Sequence, residues 1–82
     1  MARQTILMPK LGLTMTEGDL LEWKVAPGDH VAAGDILFVV ETDKTANEVE
    51  AREAGVIEAL HVSEGDTVPV GAAVATLITG DQ

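Results

Sequence analysis

Two stretches of this chain repeat one another at a fixed offset: VAPGDHVAAGDIL, from Val25 to Leu37, and VSEGDTVPVGAAV, from Val62 to Val74. A shift of 37 positions lays Val25 on Val62, Gly28 on Gly65, Asp29 on Asp66, Val31 on Val68 and Gly34 on Gly71, with Gly18 on Gly55 further upstream. What repeats is turn chemistry flanked by valines. Gly18-Asp19, Gly28-Asp29, Gly34-Asp35 and Gly65-Asp66 are expected as turns, since glycine takes positive φ at no steric cost and aspartate accepts from backbone N–H groups two residues on. Two copies cannot stack into a solenoid, which needs at least three units to bury a continuous core. The economical outcome is a pseudo-twofold all-β sandwich or flattened barrel, each half supplying a small antiparallel sheet whose apolar face packs on the other.

The apolar residues between the turns alternate instead of recurring every three to four positions, which is the pattern of half-buried strands. Strands are expected at Thr5 to Met8, Leu20 to Val25, Ile36 to Glu41, Asn47 to Arg52, Val56 to Val62 and Val74 to Ile78, with no helix longer than one turn. At 82 residues the whole chain, 1–82, is expected to be one domain, because a second core would be too small to exclude water. Cysteine is absent, so packing alone must hold the fold. Fourteen acidic against five basic residues give a net charge of -9, which repels nucleic acid and anionic membrane surfaces. No apolar run approaches the roughly 20 residues that cross a bilayer, and MARQTILMPK has no basic cluster leading into an apolar stretch. The expectation is a soluble, cytoplasmic, monomeric domain.

The repeat also locates the seam between the halves. Leu37 to Val40 closes the first, Glu48 to Arg52 opens the extended run of the second, and ETDKTAN, Glu41 to Asn47, lies between. Two strands joined by a short polar segment read as a β-hairpin with its tip near Asp43 and Lys44. Of Lys10, Lys24 and Lys44, only Lys44 sits between two β-runs at the centre of the repeat. A lysine there can be plain solubilising charge on an interaction module whose acidic hairpin meets a basic partner. It also suits a modifying enzyme, since an amide on the ammonium removes a charge and adds a flexible arm. Asp43 can accept from backbone N–H groups of the turn and so fix the geometry such an enzyme reads.

Other chemistry finds little support. His30 and His61 belong to no two-ligand metal motif, so no metal is expected. Asp29, Asp35, Asp66 and Glu64 lack the spacing of a calcium loop and read as turn residues. Trp23, within LLEWKV, is expected to pack at the core or its rim. There is no nucleophile elbow, P-loop or dinucleotide fingerprint.

MPKLGLTMTEG (Met8 to Gly18), the Trp23 and Gly28-Asp29 segment, and ETDKTANEVEA (Glu41 to Ala51) together resemble a lipoyl domain, over nearly the whole chain. The likeness is to the amino-terminal lipoyl domains of dihydrolipoamide acyltransferases, core components of 2-oxo acid and acetoin dehydrogenase complexes. It implies two four-stranded antiparallel sheets with quasi-twofold symmetry and lipoate attached to Lys44, with Asp43 and Thr45 read by a lipoyl-attaching enzyme. Related biotinyl domains place methionine on both sides of the modified lysine. Here Asp43 and Thr45 stand there, which points to lipoate, with biotin carriage as the alternative. Alanine is commoner than Thr45 directly after a lipoyl lysine. The resemblance further implies that the loop Met8 to Glu17 lies near the lysine hairpin, and that its Leu11, Gly12, Leu13 and Thr14, together with Glu41 and Glu48, help a thiamine-diphosphate decarboxylase component recognise its carrier. The other implied partners are an acyltransferase core and dihydrolipoamide dehydrogenase. Neither histidine has the His-x-x-x-Asp-Gly context of the acyltransferase site, so the domain is expected to carry and not to catalyse. Tethering would raise the arm's effective concentration at each active site to about millimolar. LITGDQ shows none of the Ala- and Pro-rich linker that follows such domains in longer parents, and both a free-standing carrier and a piece of an acyltransferase fit.

Overall fold

The computed structural model describes residues 2–42 and 45–79. Eight strands follow in chain order: β1 Ala2–Leu7, β2 Glu17–Trp23, β3 His30–Val31, β4 Ile36–Thr42, β5 Thr45–Glu50, β6 Gly55–Leu60, β7 Thr67–Pro69 and β8 Ala73–Thr79. They form two four-stranded sheets, ordered β1-β8-β6-β3 and β5-β4-β2-β7. Every pairing is antiparallel. There is no helix among the described residues.

The six expected strands are present with shifted ends, and β3 and β7 were not foreseen as strands. β1 starts at Ala2 because its polar start, ARQ, pairs with Ile78, Thr79 and Leu77 of β8 through the main chain, which leaves no apolar alternation to read. β2 begins at Glu17 and ends at Trp23 for a similar reason: Glu17, Gly18 and Asp19 pair with β7.

The halves are not stacked one sheet each, as the repeat alone suggested. Each sheet takes two strands from each half: β2 and β4 pair within the first, β6 and β8 within the second, and the remaining strands cross to the opposite sheet. Exchanged backbone bonds hold the crossings. Gly28 N–H donates to Ile57 O and Ile57 N–H to Asp29 O; in the other half Gly65 N–H donates to Leu20 O and Leu20 N–H to Asp66 O. The same symmetry joins Gly34 and Asp35 to Ala51, and Gly71 and Ala72 to Met8. A two-stranded hairpin is marginal alone, and exchange brings each sheet to four strands.

The core follows the repeat. Leu20 and Ile57, Val31 and Val68, Leu37 and Val74, Phe38 and Ala75, and Val40 and Leu77 are all buried, and each pair lies 37 apart. Met8 and Ala51, the centres of equivalent turn contacts, complete it. Phe38 and Ala75, and Met8 and Ala51, differ most in size between the halves, a large side chain in one and a small one at the equivalent place in the other. Trp23 packs on Phe38 with ring centroids 5.1 Å apart and donates its indole N–H to Val62 O at 3.1 Å. It sits half-buried at the rim, where the sequence placed it. No polar or charged side chain is buried among the described residues.

Candidate functional site

The β4–β5 hairpin is registered by Val39 opposite Glu48, Val40 opposite Asn47, Glu41 opposite Ala46, and Thr42 opposite Thr45. β4 is central in its sheet and β5 is an edge. Val40 is fully buried, so Glu41 and Val39 alternate onto the outer face while Thr42 returns to the inner one. Asp43 and Lys44, the residues between Thr42 and Thr45, lie outside the described residues, and with them the readings made of the hairpin tip, the lysine and its aspartate. What the structure describes is the root: Thr42 and Thr45 as a facing pair. The sequence reading missed Asn47, whose Nδ2 donates to Thr45 O at 3.2 Å and to Thr42 Oγ1 at 3.4 Å. The available signal was asparagine inside a strand, where it is disfavoured.

The connection 8–16 comes against this root. Gly12, Thr14, Met15, Thr16 and Glu17 line a shallow recess together with Thr42. Leu11 N–H points at Met15 Sδ at 3.0 Å, Met15 N–H donates to Gly12 O, and Val70 N–H to Thr16 O. Met15 itself packs on the core from outside, which anchors the loop. Leu11 is exposed, and Leu13 is 95% exposed. A large apolar side chain left so far in water contributes nothing to folding and is available for contact with another molecule.

Glu41 and Glu48 lie on the outer face of the sheet, Glu41 opposite both Asp19 and Ala46. Asp19 accepts from Thr67 Oγ1 at 2.7 Å. The outer face of the other sheet differs: Arg3 forks onto Glu58 with bonds of 2.8 and 3.0 Å, and His61 meets Thr76 Oγ1 at 2.7 Å. The Arg3 hydrogen bond holds the Glu58 carboxyl below its ordinary value, and Glu58 raises Arg3 in return. Negative charge is thus concentrated on the face that ends at the hairpin.

Gly18-Asp19, expected as a turn, lies inside β2 because both residues pair with β7. Asp29, Asp35 and Asp66 do behave as turn residues, each accepting a backbone N–H at 2.8 Å, from Ala26, Ala32 and Ser63, three residues back and not two residues on. Glu64 does not: its Oε2 reaches across to Trp23 N–H at 2.9 Å. Among the described residues no group of three or more His, Cys, Asp or Glu could hold a metal ion.

A family model described as biotin-requiring enzyme, Biotin_lipoyl, matches residues 4–77. The chain belongs to the Biotin_lipoyl family. It is 42% identical over 77 residues to the dihydrolipoyllysine-residue acetyltransferase component of the acetoin cleaving system of Pseudomonas putida, covering 94% of this chain and 21% of that protein. Its fold matches the lipoyl domain of the 2-oxoglutarate dehydrogenase complex of Azotobacter vinelandii with a TM-score of 0.79 at 32% identity, covering 94% of this chain and 98% of that one. The urea carboxylase of Kluyveromyces lactis contains a similar unit, with a TM-score of 0.79 at 27% identity over 95% of this chain and 6% of that enzyme. The Biotin_lipoyl domain described here spans 15–21% of the length of the curated relatives it matches.

Proposed function

We propose that this domain carries lipoate in amide linkage on Lys44 and presents it to the active sites of a 2-oxo acid or acetoin dehydrogenase complex. The observation that carries the reading is the β4–β5 register: Thr42 faces Thr45, so the connection between a buried central strand and its neighbour is Asp43-Lys44 alone. A lysine in so short a connection suits a prosthetic group that must reach several enzymes, because a rigid root lends no slack to the amide end of the arm. Asp43 and Thr45 flank the lysine in place of methionines, and the acyltransferase relatives favour lipoate over biotin. Attached lipoate would supply a dithiolane that takes up an acyl group as it is reduced.

The chain's own residues contribute presentation and discrimination. Leu11 and Leu13 offer apolar contact, Gly12 and Thr14 line the recess beside Thr42, and Glu41 and Glu48 give the neighbouring face its charge. A thiamine-diphosphate decarboxylase component would read these features, and an acyltransferase core and dihydrolipoamide dehydrogenase would meet the arm in turn.

Intact mass with peptide mapping after expression in a lipoate-supplied, biotin-replete host tests the reading, with Lys44→Arg alongside. A lipoyl amide on Lys44 in the parent alone is the expected result. A biotinyl adduct would move the domain to carboxylase chemistry, and an unmodified chain beside a competent ligase would make it an interaction module. Asp43→Ala is expected to lower modification more than stability.

A further inference from the structure

We propose that Asn47 is a positioning residue for amide formation on Lys44, its carboxamide tying together the two ends of the connection that holds the lysine. The inference rests on the reading of Lys44 as the attachment site. Along β5 the residues Ala46 and Glu48 face outward, while Val49 packs against the core. Asn47 stands opposite the fully buried Val40 and is itself half-buried. Pattern alone would put an apolar β-branched residue there. An amide nitrogen has two protons to donate, and here they go to Thr42 on one side of the connection and Thr45 on the other.

The pseudo-twofold provides an internal control. At the opposite end of the molecule the equivalent root is Ala2 facing Thr79, closed by Thr79 Oγ1 donating to Ala2 O at 3.3 Å. On β1 the side-chain amide of Gln4 turns away from that root and donates to Glu53 at 2.9 Å. A carboxamide holding both ends of a root is therefore no requirement of the scaffold. It occurs at the end with the lysine.

In the step concerned, the Lys44 amine attacks the acyl carbon of lipoyl adenylate, which the modifying enzyme makes from lipoate and ATP. An N–C bond forms, the acyl–phosphate C–O bond breaks, AMP leaves, and the amine's proton passes to water. Asn47 touches none of these atoms. By holding the root it reduces the ordering that the modifying enzyme must impose on binding, so its loss should appear in KM for the domain and leave kcat unchanged.

The test is steady-state transfer of lipoate to the full chain by a lipoyl-attaching enzyme with lipoate and ATP. The parent is compared with Asn47→Leu, which keeps the size and removes the donor, and with Thr42→Val, which removes one acceptor; Tm and amide exchange at the hairpin root are measured in parallel. Expected for Asn47→Leu is a rise in KM of about three- to tenfold, the loss of one or two ordinary hydrogen bonds, with kcat unchanged, Tm within about 3 °C and faster root exchange. Thr42→Val should move KM in the same direction by less. A parent-like KM in Asn47→Leu would overturn the inference while leaving lipoate carriage intact, as would a loss confined to kcat or one that follows Tm. A parent that accepts no lipoate would overturn both.

Discussion

Leu20 and Ile57 occupy one structural position twice: each is buried, and each exchanges two backbone hydrogen bonds with a Gly-Asp turn of the opposite half, Leu20 with Gly65-Asp66 and Ile57 with Gly28-Asp29. The two glycines have φ of 94° and 93°. Neither would meet an obstacle if given a Cβ, so substitution there isolates backbone strain from packing. Gly28→Ala and Gly65→Ala should each destabilise by about 1–2 kcal/mol, and by similar amounts, as measured by urea unfolding.

Gly55 and Gly18 separate the other way, because their limits are steric. A Cβ at Gly55 would collide with the carbonyl oxygen of Ile78, which is backbone in a central strand and cannot swing aside. At Gly18 the obstacle is the Val40 Cγ2 methyl at 2.6 Å, with the flexible end of Met15, Cε, at 3.1 Å; Val40 is buried and stiff at χ1, yet a side chain still has more room to turn than a strand carbonyl. Gly55→Ala should cost more than Gly18→Ala, about 3 kcal/mol against about 1–2 kcal/mol, on the scale of overpacked cores. Thermal unfolding of the pair checks the order.

Stability should also respond to acid through Glu58. Arg3 holds its carboxyl below the ordinary glutamate value, so the folded state binds that proton less readily than the unfolded chain. The contribution is present above the unfolded value and is lost as pH falls through the folded one. Both partners are exposed, so the effect should be small and weaken with salt. In a carboxyl NMR titration the Glu58 midpoint should rise in Arg3→Gln.

Leu13 offers a cleaner separation of folding from recognition. At 95% exposure it should tolerate Leu13→Ala within about 0.5 kcal/mol of parental stability. If the loop is read by a decarboxylase component, the lipoylated variant should be a poorer substrate for reductive acylation, with a higher KM. Equal KM for parent and variant would remove Leu13 from the recognition surface.

Much of this molecule is legible along the chain. The offset of 37 relates ten of the twelve core residues buried among the described ones as five equivalent pairs, of which the repeated segments already align Val31 with Val68 and Leu37 with Val74; three of the four Gly-Asp pairs, 28–29, 34–35 and 65–66, form turns. The place of Lys44 between two β-runs is equally legible, and the family resemblance is carried by the residues Met8 to Gly18, Trp23 with Gly28-Asp29, and Glu41 to Ala51. These features depend on neighbours within a few residues, where side-chain period and backbone preference act directly.

The exchange of strands between the halves is different. Whether Gly28 and Asp29 bond to their own half or to Ile57 depends on which arrangement lets both apolar faces close on one core, and no local preference encodes that choice. β3 and β7 are too short to show alternation and exist through their partners, β6 and β2. The same holds for Glu64 reaching Trp23 and for Asn47 spanning Thr42 and Thr45, whereas Gly12 and Thr14 lie beside Thr42 as the family resemblance implied. Repetition, turns and the lysine's place were properties of the sequence by itself. Strand exchange and the company each residue keeps were decided only in the tertiary structure, because a hydrogen bond or a packed face needs a partner that only the closed fold brings near.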